Sequence, residues 1–250
     1  MSHRGKFKQL RDQVDPALIQ RWETEQEALK TRLIERDDFQ WTLEGPNALH
    51  YIGGMDISAD KHNETDAYAA LVVLSWPDLQ TVYQDYIHVT VDVPYVPGCL
   101  AFREVPHLMQ LLDRNRQSQF IPDVILLDGN GILHTKACGL ASHFGVLCDI
   151  PTIGCGKTVF AVDGINKGNV RALSSTLQQG GDSINLVGTS GRIWGAALKS
   201  CDNTTDPLII SVGHRITLPT AVELVKRTCL FRVPEPIRQA DKLSRAQLRP

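Results

Sequence analysis

Hydrophobic positions follow two different patterns along the chain. In the first half, three apolar segments are separated by short polar links, and the third of them alternates apolar and polar residues. Alternation is typical of a half-exposed strand, and short links favour antiparallel neighbours. The pattern therefore predicts an antiparallel meander of three strands, Tyr51–Ser58, Ala67–Trp76 and Thr81–Val91.

Further along, the apolar runs are shorter and uninterrupted. The segment Val124–Leu127 is entirely apolar, is entered from Pro122 and shows no helical stripe. Such a run is typical of a strand buried on both faces. Two more buried strands are predicted at Thr152–Gly156 and Leu208–Val212, and a hairpin at residues 184–188 and 192–198.

Apolar residues at three- and four-residue spacing predict four helices around these strands. They are Pro16 to about Arg36, Phe102 to about Arg114, Lys136–Leu147, and Leu218–Cys229 with Thr217 as its cap. The proline- and arginine-rich segment that follows carries no predicted element. We expect one α/β domain over residues 1–250, with residues 1–12 and about 243–250 flexible. Its mixed sheet has three antiparallel strands followed by parallel strands alternating with helices.

Composition limits the partners that this domain can have. The apolar fraction of 42% suits a globular core, and a net charge of −2 gives no overall attraction to nucleic acid or to a membrane. The last 40 residues nevertheless hold eight Lys and Arg against three acids, which is either a local nucleic-acid patch or a solvated basic tail. Six cysteines without a C-x-x-C pair, and no signal-like N-terminus, predict an intracellular protein.

Three acids occupy distinctive positions in this pattern. Asp56 lies inside the first strand, Glu104 opens a helix, and Asp128 ends the central strand before Gly129-Asn130-Gly131. The carboxyl ends of parallel strands are where open α/β sheets place ligands. If the first and central strands are neighbours, the acids converge, and divalent cations such as Mg²⁺ or Mn²⁺ would hold them together. The alternative is that local hydrogen-bond donors satisfy each acid separately.

The segment Gly156-Lys157-Thr158 matches the end of a phosphate-binding P-loop. That motif requires a glycine five residues before its GK glycine, and this position is Pro151. A P-loop is therefore not supported. Lys157 at the end of a strand can still place a positive charge beside a phosphate, or it can be a surface lysine.

Six segments together resemble the endonuclease V family, in the same order and over about residues 48–245. They are GGMDIS (Gly53–Ser58), PYVPGCLAFREVP (Pro94–Pro106), LLDGNGILH (Leu126–His134), IGCGK (Ile153–Lys157), SVGHRITL (Ser211–Leu218) and FRVPEPIRQAD (Phe231–Asp241). The last of these is more similar to animal members than to bacterial ones. The chain departs from the usual pattern at Gly156, where many members have Ala, and at Thr158, where many have Lys.

The resemblance implies a ribonuclease H-like fold and a Mg²⁺-dependent endonuclease that Mn²⁺ also supports. Its implied reaction is cleavage of single-stranded RNA at the second phosphodiester bond 3′ to inosine, through metal-activated attack of water. The implied partner is inosine-containing RNA, with deoxyinosine-containing DNA as the alternative, and no membrane. We expect a monomer located in the cytoplasm and the nucleus, including the nucleolus.

The resemblance also assigns roles to individual residues. The implied metal ligands are Asp56, Glu104 and Asp128, and further catalytic roles fall to Lys157, His214 and Asp241. Tyr95, between Pro94 and Pro97, matches a wedge that stacks in the gap left by a displaced base. The residues that match a hypoxanthine pocket are Leu100, Gly129, Asn130, Gly131, His134, Gly139 and Leu140.

The nucleic-acid backbone contacts that we predict are Arg215, Lys242 and Arg245, all in the basic C-terminal segment. Two other functions remain open at this point. A DNA-repair nuclease acting at deaminated bases would share every catalytic residue, and only a contact to the RNA 2′-hydroxyl would separate the two. A catalytically silent inosine-RNA binder would keep the fold without cleavage, and metal-dependent strand cleavage discriminates it from the nucleases.

Overall fold

The computed structural model describes residues 14–63, 65–93 and 96–248. Its centre is one eight-stranded sheet with the strand order β3-β2-β1-β4-β5-β8-β7-β6. The strands are β1 (Tyr51–Ala59), β2 (Asp66–Ser75), β3 (Thr81–Thr90), β4 (Val124–Leu127), β5 (Thr152–Gly156), β6 (Ser183–Val187), β7 (Ile193–Leu198) and β8 (Leu208–His214). Pro94 and Tyr95 of the predicted wedge lie outside the described residues.

Strand directions divide the sheet into three parts. The predicted meander is confirmed, since β1 pairs with β2 and β2 with β3, both antiparallel. Strands β4 and β5 are parallel to β1, as the sequence predicted. The prediction was wrong for β8, which is antiparallel to β5, so β8, β7 and β6 form a second antiparallel section. The mixed α/β sheet expected of a ribonuclease H-like fold is thus present.

Six helices flank the sheet within the described residues. They are α1 (Pro16–Lys30), α2 (Leu100–Asn115), α3 (Leu140–Cys148), α4 (Lys167–Ser174), α5 (Leu218–Thr228) and α6 (Glu235–Gln247). Helix α1 is shorter than predicted because the chain turns away after Lys30, and the backbone of Ile34 bonds Arg215 and His214 instead. Helix α3 starts at Leu140 rather than Lys136, after Gly139 as its N-cap.

Helix α6 is one of two described helices that the sequence analysis missed, the other being α4. Pro236 lies in its first turn, where proline fits a helix, and Ile237 and Ala240 are buried on one face. The helix approaches β1 closely, since a Cβ on Gly54 would lie 2.1 Å from the backbone of Pro236. Residues 243–247, predicted to be flexible, continue this helix, and Ser244 is fully buried.

Successive residues of the central strands face two separate hydrophobic cores. Ile52 and Leu126 pack with α5 and α6 on one side, while Met55 and Leu127 pack with α2 and α3 on the other. Because side chains alternate across a strand, this double burial accounts for the uninterrupted apolar run in β4. No helix in the described part of the chain is long and apolar enough to cross a membrane.

Candidate active site

Strands β1 and β4 bring the first two acids together at the carboxyl edge of the parallel strands. They run parallel with Met55 opposite Leu127, so Asp56 and Asp128 are the next residues in this register. The backbone N–H of Asp128 points to the carbonyl of Met55 at 3.5 Å. The adjacency of two sequence-distant carboxylates thus follows from the parallel pairing of their strands.

Asp56 is held by two hydroxyl groups. The Oγ atoms of Ser58 and Ser244 each lie 3.0 Å from its Oδ2 and donate to it, and the two Oγ atoms lie 2.9 Å apart. Burial, followed by the charges of Asp128 and Asp241, raises the pKa of Asp56 to about 6. The carboxylate is therefore oriented by hydrogen bonds but destabilised by its surroundings, which is typical of a functional site.

Glu104, in the first turns of α2, belongs to the same cluster. Its pKa is raised to about 8, first by burial and then by the charges of Asp56 and Asp128. Asp241 comes from α6 and is held by Arg245, whose Nε lies 2.7 Å from its Oδ1. Four elements thus contribute one acid each to one small volume.

The acid cleft is an open cavity of about 500 Å³ beside these groups. It is lined by Asp56, Asp128, Asp241, Arg245, Leu248 and the end of β1 with the turn after it, residues 57–62. Lys157, directly after β5, forms an ion pair with Asp128. The basic groups Lys61 and Arg245 lie beside the acids, as a site for a phosphodiester requires.

The acids fit a hard divalent cation in their chemistry. As the side chains stand, no group of three or more His, Cys, Asp or Glu in residues 14–63, 65–93 and 96–248 is arranged to hold a metal ion. Burial first, and then the neighbouring carboxylate charges, nevertheless raise the pKa values of Asp56 and Glu104. A cation among them would remove that repulsion, and oxygen ligands of this kind suit Mg²⁺ and Mn²⁺.

A second cavity, the base pocket, lies on the other side of Asp128 and has a volume of about 220 Å³. Six of the seven residues predicted for a hypoxanthine pocket line it: Leu100, Gly129, Asn130, His134, Gly139 and Leu140. The seventh, Gly131, is outside the lining and lies against β8, with its N–H donating to Ser211 Oγ at 2.8 Å. The loop after β4 therefore forms one wall and the start of α3 another.

Two buried polar groups in the base pocket have hydrogen-bonding capacity to spare. Burial lowers the pKa of His134 to about 4, so its ring is neutral at pH 7. Its Nδ1 accepts from the N–H of Lys136 at 3.3 Å, which leaves Nε2 as the N–H donor. Asn130 Oδ1 is buried without a hydrogen-bond partner, and it lies 2.7 Å from where a Cβ on Gly156 would be.

The structure does not bring His214 to this site. Strand β8 is antiparallel to β5, so His214 pairs with Thr152 at the start of β5, whereas the acids and Lys157 lie at its end. His214 Nδ1 instead accepts from the N–H of Ile34, and Arg215 bonds the carbonyls of Asp38 and Asp149. Both residues therefore lie at the start of β5, away from the acids, and their predicted roles, which came from the resemblance and from the basic C-terminal segment, stay predictions.

Of the other predicted backbone contacts, Arg245 lines the acid cleft, while Lys242 is exposed outside the lining. Pro97 is described, but its wedge partners Pro94 and Tyr95 are not. Sequence reasoning missed Ser58, Ser244 and Gln26, the last of which lines the base pocket from α1. A helical signal was available for Ser244, since Pro236 is followed by Ile237, Ala240 and Leu243 at three-residue spacing.

Comparisons with known proteins agree with this arrangement. The family model described as Endonuclease V matches residues 27–242. Mouse endonuclease V is 46% identical over 232 residues, covering 91% of this chain and 69% of the mouse protein. The catalytic domain of human endonuclease V superimposes with a TM-score of 0.90 at 43% identity, covering 94% of this chain and 98% of that one.

A third comparison includes nucleic acid. An endonuclease V variant from Ciona intestinalis, crystallised with a 23mer DNA containing an inosine followed by a ribo-adenosine, has a TM-score of 0.86 at 34% identity. It covers 94% of this chain and 98% of that one. The mixed sheet and its edge of carboxylates define a nuclease of the ribonuclease H-like class. More particularly, the chain belongs to the endonuclease V family.

Proposed function

We propose that this protein is a Mg²⁺-dependent endoribonuclease that cleaves single-stranded RNA at the second phosphodiester bond 3′ to an inosine. The observation that carries the proposal is that Asp128 lines both the acid cleft and the base pocket. A base seated in the pocket thereby has its sugar-phosphate chain directed past the carboxylates. Recognition of the base and hydrolysis of the strand would then both involve Asp128, which lines both cavities.

The lining of the base pocket is suited to hypoxanthine. Enzymes that read a single base take it out of the stack and bind its edge with hydrogen-bonding groups. Hypoxanthine offers an acceptor at O6 and a donor at N1, and the pocket offers the Nε2–H of His134 as donor, while the buried, unpaired Oδ1 of Asn130 would accept from N1 once that side chain turns to the base. Adenine presents the opposite pattern at these two positions, so the same groups would select against it.

Different residues in and beside the acid cleft would perform different parts of the chemistry. Asp56, Glu104 and Asp128 would hold the cation, with Asp241 beside them, and Ser58 and Ser244 orient Asp56. A bound Mg²⁺ supplies activation of water and neutralisation of the phosphate charge. Lys157 contributes a positive charge next to Asp128, and Arg245 fixes Asp241. Tyr95, with Pro94 and Pro97, would fill the gap left by the flipped base, as its sequence indicates.

The preference for RNA is supported by the relatives rather than by a contact in this chain. The Ciona intestinalis complexes contain a ribo-adenosine directly after the inosine, which favours a role for a 2′-hydroxyl at that position. The alternative, a repair nuclease for deoxyinosine in DNA, uses the same carboxylates. A catalytically silent binder is disfavoured because all three core acids and Lys157 are at the site.

The test uses single-stranded oligonucleotides that each carry one inosine, made as RNA, as DNA, and as DNA with one ribonucleotide 3′ to the inosine. Adenosine versions are the controls, and every reaction is run with Mg²⁺ and with EDTA. We expect cleavage of the RNA and the mixed oligonucleotide, one phosphodiester beyond the bond nearest the inosine, in Mg²⁺ only. Faster cleavage of the all-DNA strand would instead establish the repair function.

A further inference from the structure

We propose that Gln26 is a positioning residue that fixes the width of the base pocket and thereby its selectivity for the purine; this inference rests on the proposed function. Gln26 lies on α1, one residue before the segment that the family model matches, and its side chain is only 1% exposed. The Gln26 side chain lines the pocket and lies between two of its walls. Neither the motifs nor the acid cluster point to it.

The carboxamide of Gln26 joins two loops that are distant in sequence. Its Nε2 donates to the carbonyl of Gly98 and to the carbonyl of Cys138, both at 3.0 Å. Gly98 belongs to the loop that follows the predicted wedge, and Cys138 precedes Gly139, the N-cap of α3. Gly98, Leu100 and Gly139 all line the pocket. One side chain thus sets the separation of two pocket walls.

The unpaired oxygen of the same amide indicates that Gln26 does more than fill space in the core. Gln26 Oε1 is buried and has no hydrogen-bond partner in the described structure. The two carbonyl acceptors fix which end of the amide is nitrogen, so turning it over would break both bonds. A buried, unpaired acceptor is unfavourable, and an apolar side chain of similar volume would avoid it. The two bonds from Nε2 are therefore the feature that compensates for it.

Helix α1 packs against both loops, so it can hold the two pocket walls in place. Trp22 stacks on Phe102 of α2 with ring centroids 5.2 Å apart. Val14 and Trp22 pack against Val96 and Cys99, which flank Gly98. Lys136 pairs with Glu23 at 3.4 Å on the other side. The helix is therefore fixed to both loops, and Gln26 makes the polar connection at the pocket itself.

The test replaces Gln26 with Met, which is close in volume but has no donor, and with Glu, whose carboxylate would repel both carbonyls. Gln20→Met on the exposed face of the same helix is the matched control. Two lost hydrogen bonds correspond to an increase in KM of about 10- to 30-fold for an inosine oligonucleotide in Gln26→Met. We expect kcat to change less than about threefold, since the carboxylates are untouched.

The selectivity readout separates positioning from general stability. The ratio of kcat/KM for inosine over guanosine oligonucleotides should fall in both Gln26 variants and stay unchanged in Gln20→Met. A Gln26→Met protein with wild-type KM and wild-type selectivity would overturn the inference. So would a variant whose kcat alone falls while the melting temperature drops, because that is the result of a merely structural role.

A second measurement keeps this inference distinct from the proposed function. If the wild-type protein leaves inosine RNA and DNA intact, the proposed function fails at that step. Amide hydrogen exchange then decides the role of Gln26 without a substrate. Faster exchange confined to residues 96–100 and 137–141 in Gln26→Met would support the bridge between the two walls, and unchanged exchange there would refute it.

Discussion

The acid cleft and the base pocket share Asp128 but are built in contrasting ways. Acids from four elements lie in and beside the cleft, and burial followed by neighbouring carboxylate charges raises the pKa values of Asp56 and Glu104. The pocket is built largely from loops, glycines and single neutral polar groups. Under the proposed function, cleavage would depend on a few side chains, whereas recognition of the base would depend on where the backbone is held.

The largest expected effect tests the cleft. Asp56→Asn should reduce cleavage of inosine RNA by at least about 1,000-fold, because it removes one of the proposed cation ligands. Inosine-dependent binding should persist, since the pocket is unchanged. The melting temperature should hold or rise, because burial and neighbouring charges disfavour the ionised carboxylate. Single-turnover cleavage and binding to a labelled oligonucleotide check this, and retained cleavage would remove Asp56 from the site.

The corresponding test of the pocket is Gly139→Ala. The added Cβ would lie 2.4 Å from the carbonyl oxygen of Asn130 and 2.8 Å from that of Gly131, so backbone must move. Overpacking of this kind costs about 1–3 kcal/mol of stability. We expect weaker binding of inosine oligonucleotides with the cation response preserved. Gly168→Ala, in helix α4 away from both cavities, is the control, and equal losses in both variants would argue against a backbone-built pocket.

A smaller effect concerns pH. Glu104 has a folded-state pKa of about 8 against an ordinary value of 4.5, so folding favours its protonated form. Its contribution to stability is full below pH 4.5 and is lost as the pH rises through 8. Asp56 acts in the same direction at lower pH, with a pKa of about 6. In EDTA, the melting temperature should therefore fall by a few degrees between pH 6 and pH 9.

Two controls belong to this pH experiment. Glu104→Gln should flatten the fall, because the neutral amide has nothing to titrate. Adding Mg²⁺ should raise the melting temperature more at pH 9 than at pH 6, since the cation binds ionised carboxylates. A wild-type protein whose stability in EDTA rises over this range would contradict the buried, repulsive cluster.

The smallest expected effect concerns the link between α6 and the cleft. Ser244→Ala removes the hydroxyl that donates to Asp56, at a cost of about 1 kcal/mol. Because that hydrogen bond lowers the pKa of Asp56, its loss should raise the pKa further and weaken Mg²⁺ binding. We expect a few-fold loss of cleavage at limiting Mg²⁺ that saturating Mg²⁺ restores. The exposed Ser175→Ala should be neutral; a Ser244 variant that Mg²⁺ does not rescue would point to misfolding instead.

The sequence predicted side-chain chemistry better than it predicted topology. Asp56 and Asp128 were identifiable because an acid inside or directly after an apolar strand is unusual. The direction of β8 was mispredicted because strand direction depends on long-range pairing that periodicity does not encode. Ser244 was missed because prolines obscured a helix whose apolar face is short. Gln26 was missed because a glutamine on an amphipathic helix carries no signal until the loops it connects are folded against it.

The position of Asp128 between the two cavities has a consequence for where a strand is cut. Under the proposed function, the separation of base and scissile bond would be set by the short peptide from Asp128 to Asn130, which is held at the next residue by the hydrogen bond from Gly131 to Ser211. The length of that peptide would then fix the number of nucleotides between the inosine and the cleaved bond. The cut should therefore fall at a constant offset whatever bases surround the inosine, and only a change in the length of this loop should move it.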